Sequence, residues 1–146
     1  MRSSRLEALF PRLCQTPYEI TSPEDRRYNC IAWAAGCDDL WWWPVPEYGY
    51  YWPGACREES VAAFEQVFRS LDYLPCGHAD LEGGFEKVAL FVKDGRPTHM
   101  ARQLPSGQWT SKCGPLEDIA HTLDGVEGTR YGSVATVMKR PIQTSY

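Results

Sequence analysis

Cys30 is the residue in this chain best placed to do chemistry. It follows Asn29, a strong helix-capping residue, and opens the apolar run Ile31-Ala32-Trp33-Ala34-Ala35, which Gly36 stops. That pattern predicts a buried helix over 30–36 with the thiol in its first turn, where unpaired backbone N–H groups and the positive end of the helix dipole favour thiolate over thiol. A thiolate nucleophile needs a base, and the histidines are His78, His99 and His121. His78 falls in a glycine-flanked loop and His121 in a segment read as helix. His99 begins a well-patterned strand, which gives the rigidity a base requires. The helix amides, starting with that of Cys30, are placed to hold an oxyanion, with Asn29 and Gln103 as near-site polar groups.

A third group must orient the imidazole through its other nitrogen. Pairing Leu104 with Gln108 around a three-residue loop sets His99 opposite Cys113, Ala101 opposite Ser111 and Gln103 opposite Trp109, all on one face. Ser111 or Gln103 could then reach His99, and Asp118 in the next segment is a further candidate. A zinc site is the metal alternative, built from Cys76 and His78 with Cys56 or Cys113. Without a Cys-x-x-Cys pair it is the weaker reading, so neither metal nor cofactor is expected.

The elements that must position these residues are legible in part. Leu6, Leu9, Phe10 and Leu13 behind Ser3-Ser4 predict a short helix, shortened at Pro11, and Ser22 to Arg27 reads as a turn. Glu58 to Leu71 places Val61, Phe64, Val67, Phe68 and Leu71 on one helical face. Leu74 to Gly84 reads as loop. Val88 to Val92, an Asp94-Gly95 turn, Thr98 to Leu104, and Gln108 to Cys113 form an antiparallel meander, followed by a short helix over Asp118 to Leu123 and a strand over Tyr131 to Met138. Helices first and antiparallel sheet second predict an α+β fold in one domain over residues 1–146.

Between these halves, Trp41 to Pro53 carries too many prolines for a helix and too many rings for a solvated linker. It reads as an ordered aromatic loop in which Trp41, Trp42, Trp43 and Trp52 wall a substrate groove. The rival class uses the same loop as the platform of a non-catalytic binding module. A net charge of −4 and the lack of a basic block argue against nucleic acid as partner. Arg102, Lys112, Lys139 and Arg140 read as solvated charges. Neither a signal-type apolar stretch at the N-terminus nor a membrane-length run is present, so the reading is a cytoplasmic protein with six free thiols and no membrane partner, unless a dedicated secretion machine exports it.

The order of a helix-borne Cys, a strand-borne His and a polar residue on the next strand resembles papain-like cysteine hydrolases, most of all the compact bacterial amidases and peptidoglycan endopeptidases. In those enzymes the third residue commonly lies about a dozen positions past the His, the place Ser111 holds here. Tyr28-Asn29-Cys30-Ile31-Ala32-Trp33-Ala34, Thr98-His99-Met100-Ala101-Arg102-Gln103 and Trp109-Thr110-Ser111-Lys112 are also similar to an uncharacterised bacterial papain-like domain family. The resemblance implies a papain-like layout and a thiol hydrolase acting on an amide, peptide or isopeptide bond through a Cys30 acyl-enzyme. Its partner would be a peptidoglycan stem peptide or a protein, and a toxin or effector role would add an inhibitor or immunity protein. Asn29 departs from the acidic residue that often precedes the nucleophile in the endopeptidases, and the oxyanion glutamine of papain has no counterpart.

Overall fold

Seven strands form one antiparallel sheet in the order β1-β6-β5-β4-β3-β7-β2. The computed structural model describes residues 2–25, 27–37, 40–44, 50–54, 58–113 and 116–142. Three helices, α1 (Ser4–Leu9), α2 (Cys30–Ala34) and α3 (Val61–Ser70), accompany strands β1 (Tyr18–Ser22), β2 (Leu74–Cys76), β3 (Phe85–Lys93), β4 (Arg96–Gln103), β5 (Trp109–Lys112), β6 (Asp118–His121) and β7 (Ser133–Pro141). Short 3-10 turns cover Pro11–Cys14 and Leu123–Val126. The fold is α+β, and among the described residues no helix is long and apolar enough to cross a membrane.

The central meander follows the sequence pattern. Asp94 and Gly95 both have positive φ, as a tight β3–β4 hairpin turn demands. Around the next loop Gln103 pairs with Trp109, and the Leu104 N–H donates to the Gln108 carbonyl, which is the register the sequence predicts. Helix α3 starts at Ser60, whose side chain accepts from the Ala63 N–H, and buries Ala63, Phe64, Val67 and Phe68.

Two expectations fail, and one strand goes unforeseen. Residues 118–121 are strand β6 rather than helix, because all four are buried and two-sided burial erases the alternation that marks a strand. Leu74–Cys76, expected as loop, is an edge strand on β7, where Pro75 is tolerated because only one side of the strand is paired. Tyr18–Ser22, to which the sequence reading assigns no element, is a strand that pairs with β6.

The sheet is buried on both faces. On one, α2, α3, Tyr28, Trp42, Trp52 and Tyr73 pack on Val88, Leu90, Met100 and Met138. On the other, Leu6, Phe10, Leu13, Val126 and Tyr131 cover Ala89, Phe91, Ala101, Trp109, Ile119 and Val137. The odd and even residues of Val88 to Phe91 thus divide between two cores. Phe68 is fully buried and its ring lies 5.7 Å from that of Tyr73. Phe68→Ala is therefore expected to lower unfolding free energy by about 3–5 kcal/mol, read from urea denaturation followed by tryptophan fluorescence.

Candidate active site

Asn29 fixes the start of α2 and the loop beside it. Its Oδ1 accepts from the N–H groups of Ala32 at 3.3 Å and Trp42 at 3.0 Å, while its Nδ2 donates to the Trp42 carbonyl at 2.8 Å. One Nδ2 hydrogen is directed at Trp42, so Asn29 is a cap and a loop clamp, and it also lines the cavity beside Cys30. Gly36, with φ of +88°, ends the helix.

Cys30 therefore sits at a fixed place, in the wall of a cavity of about 310 Å³ lined by Asn29, Trp41, Trp43, Tyr50, Thr98 and Tyr131. The backbone N–H groups of Met100, Ile31 and Cys30 itself are directed at its sulfur, and Lys112 adds a favourable field. Burial outweighs them: only 6% of the residue is exposed and the thiol is pushed up to about 11. The expectation of a thiolate made by helix position is thus overturned, since a five-residue helix brings few amides to a dry site.

The His99 side chain leaves β4 on the face opposite the core that Cys30 and Met100 share. The His99 imidazole is fully buried, stacked on Tyr131 with ring centroids 4.0 Å apart and planes 7° from parallel, and met edge-on by Phe91. Its Nε2 lies 2.8 Å from Ser111 Oγ, and its Nδ1 has no hydrogen-bond partner among the described residues. Among the hydrogen bonds of the described residues, none joins sulfur and imidazole. Burial, then the nearby His121, holds His99 well below the ordinary histidine range, so thiol and imidazole are both neutral at pH 7.

The structure brings Ser111 to His99 and takes the other reserve groups elsewhere. Gln103 donates to the Ala79 carbonyl at 2.9 Å, and Asp118 accepts from the Tyr28 hydroxyl at 2.7 Å. Of the four tryptophans expected in the groove, Trp41 and Trp43 line the cavity, whereas Trp42 and Trp52 are core residues. Their loop has to bury some of its rings because α3 offers Phe64 as a platform, 4.9 Å from Trp52. Residues 45–49 of that loop lie outside the described residues.

The basic residues expected in solvent are engaged instead. Lys112 is buried and donates to the Leu116 carbonyl, and the Arg102 guanidinium lies 5.2 Å from the Trp33 ring. Lys139 pairs with Glu82, and Arg140 with Glu86.

In the alternative metal cluster, Cys76, His78 and Glu82 present ligand atoms within 4.8 Å of one another. The buried Lys87 ammonium lies 3.2 Å from Glu82 and 3.3 Å from His78 Nδ1, and donates to the Asp80 carbonyl at 2.7 Å. It already supplies the cation there. Cys113 is buried in the core and is not part of this group, and Cys56 lies outside the described residues.

Tyr131 and His121 were missed by sequence reasoning. Tyr131 is presented by a tight loop in which Gly128 and Gly132 exchange N–H to carbonyl bonds of 3.0 and 2.8 Å. Gly132 has φ of +77°, and a Cβ there would come within 2.1 Å of the Val92 carbonyl. That Gly-x-x-x-Gly spacing was the available signal. His121, on β6, puts its Nε2 2.7 Å from Ser111 Oγ, and reading 118–121 as a strand would have placed it on the Ser111 face.

The chain belongs to the family described as a domain of unknown function, DUF7689, whose model matches residues 19–139. No curated protein and no solved structure matches it.

The buried histidines make stability sensitive to acid. Burial pushes His121 down to about 4, while an unfolded histidine takes its proton near 6.5. Between those values the unfolded chain binds the extra proton, so the stabilisation is complete above pH 6.5 and is lost as pH falls toward 4. That is worth about 3 kcal/mol for His121. Thermal melts from pH 7.5 to 4.5 are expected to show a steep fall below pH 6, shallower in His121→Gln.

Proposed function

We propose that this protein is a papain-like thiol hydrolase that opens an amide, peptide or isopeptide bond through an acyl-enzyme on Cys30. The observation that carries the reading is His99 Nδ1, a buried nitrogen without a partner among the described residues, on a ring held at Nε2 by Ser111 and next in sequence to Met100, whose backbone N–H is directed at the Cys30 sulfur. Burying such a nitrogen unpaired costs roughly 1–3 kcal/mol, which a proton-accepting role at this atom would account for.

The chemistry starts from neutral groups. As the sulfur attacks the carbonyl carbon, His99 Nδ1 takes the thiol proton; it then gives that proton to the departing nitrogen as the C–N bond breaks, leaving a thioester. Water attacks the thioester, His99 takes the proton of the water and returns it to the sulfur, and the acid is released with the thiol restored. Trp41, Trp43, Tyr50 and Tyr131 supply an uncharged wall for the substrate segment beside the scissile bond. The substrate is a peptide or protein, with peptidoglycan stem peptides and isopeptide-linked proteins the two classes to test.

A second reading keeps the cleft and drops the turnover: a binding module whose thiol is inert, favoured by the burial that suppresses ionisation of Cys30. Incubation with purified muropeptides and with ubiquitin-type fusions, followed by mass spectrometry, separates the two. Cleavage by the parent, with at least a hundredfold loss in Cys30→Ala and His99→Ala, is the expected result. Binding without cleavage, unchanged in Cys30→Ala, supports the module instead. Because His99 titrates well below 6.5, activity is expected to stay level from pH 6 to 8 and to fall only in more acidic solution.

A further inference from the structure

We infer that His121 is a positioning residue which, acting through Ser111, fixes His99 as the tautomer with hydrogen on Nε2 and a free lone pair on Nδ1. The argument is a count of hydrogens along one chain of contacts. His121 Nδ1 lies 2.6 Å from the Thr122 carbonyl oxygen, which can only accept, so Nδ1 carries the hydrogen and donates it. His121 is neutral, as its burial requires, and its Nε2 is therefore a lone pair. Ser111 Oγ, 2.7 Å from that nitrogen, must donate its one hydrogen there. Its oxygen is then an acceptor toward His99 Nε2 at 2.8 Å, so His99 Nε2 holds the hydrogen. Only Nδ1 remains, unprotonated, and it is the atom without a partner.

The opposite direction fails at both ends. It would set the His121 Nδ1 lone pair against a carbonyl oxygen at 2.6 Å and bury a His99 Nδ1–H with no acceptor among the described residues. Ser111 alone cannot choose, because a hydroxyl donates or accepts with equal ease. The choice is made by the Thr122 carbonyl and carried by His121. All three of His99, Ser111 and His121 are fully buried, which shields their hydrogen bonds from bulk solvent.

For its purpose this inference rests on the hydrolase reading, since an unprotonated Nδ1 is what a base at Cys30 needs; the tautomer itself does not depend on that reading. The test is a long-range proton–nitrogen correlation spectrum of the full chain labelled with ¹⁵N-histidine at pH 7, assigned with His78→Gln, His99→Gln and His121→Gln variants. His99 is expected to show a pyridine-type Nδ1 and a pyrrole-type Nε2, and His121 the reverse. Ser111→Ala is expected to leave His99 in a mixture of tautomers. His121→Gln, whose amide oxygen can accept in place of Nε2, is expected to keep the parent form, and His121→Phe to shift His99 toward the Nδ1–H form.

A His99 Nδ1–H in the parent overturns the inference even if no variant folds. So does a His99 tautomer unchanged by Ser111→Ala. If the tautomers stand as assigned while Cys30 reactivity ignores His99, the relay holds and the hydrolase reading fails. If Cys30 depends on His99 but the tautomer is reversed, the relay fails and the hydrolase reading survives.

Discussion

The ladder between β4 and β5 is two pairs long, Arg102 with Thr110 and Gln103 with Trp109, and the site depends on where it stops. Backbone donors in a buried sheet have to be satisfied, and beyond Arg102 the Met100 N–H is directed at the Cys30 sulfur. Over the same stretch the two strands are joined through side chains, His99 to Ser111, rather than through the backbone. The opening in the ladder admits the first turn of α2 to the sheet, and Trp33, one turn on, secures it by donating from Nε1 to Thr110 Oγ1 at 3.1 Å. The thiol lies on the α2 side of β4, in the core that Met100 shares, and the His99 ring on the other side, among Phe91, Tyr131 and Ser111.

Dryness sets the electrostatics of this arrangement. Three amides and a lysine favour a thiolate at Cys30, yet the cost of removing charge from water exceeds them, and the same cost holds His99 and His121 neutral. A resting ion pair is therefore disfavoured, and reactivity has to come from proton transfer as the sulfur attacks. Neutrality also makes the polar chain from Thr122 to His99 rigid, because each neutral group has one hydrogen to give and each hydrogen finds one acceptor.

The sequence showed most of the half of the fold that carries His99. Asp94-Gly95 identified the hairpin, and the pairing of Gln103 with Trp109 followed from loop length alone. That register is what made Ser111 a candidate. Helix α3 was legible because one face is buried and the other solvated, a contrast that β6 lacks: Asp118–His121 is buried throughout, and its Asp, Ala and His are weak strand formers. Misreading it removed His121 from consideration.

The environment of Cys30 was illegible for a different reason. Helix position is a local feature and can be read from Asn29, but desolvation depends on Tyr131 and Trp41 arriving from distant segments, and no local pattern reports it. The division of the tryptophan run, Trp42 and Trp52 in the core, Trp41 at the cavity and Trp43 between the cavity and Phe64, is tertiary in the same way.

The central claim is that neutral Cys30 and neutral His99 react as a unit. The pH dependence of Cys30 alkylation by iodoacetamide, mapped by mass spectrometry in the parent and in His99→Ala, tests it most directly. A lone thiol held at about 11 is ionised only about one part in ten thousand at pH 7, and its rate climbs about tenfold per pH unit. The account predicts that climb in His99→Ala and a level rate between pH 6 and 8 in the parent, where the imidazole takes the proton. Superimposable profiles climbing tenfold per unit in both proteins would contradict it.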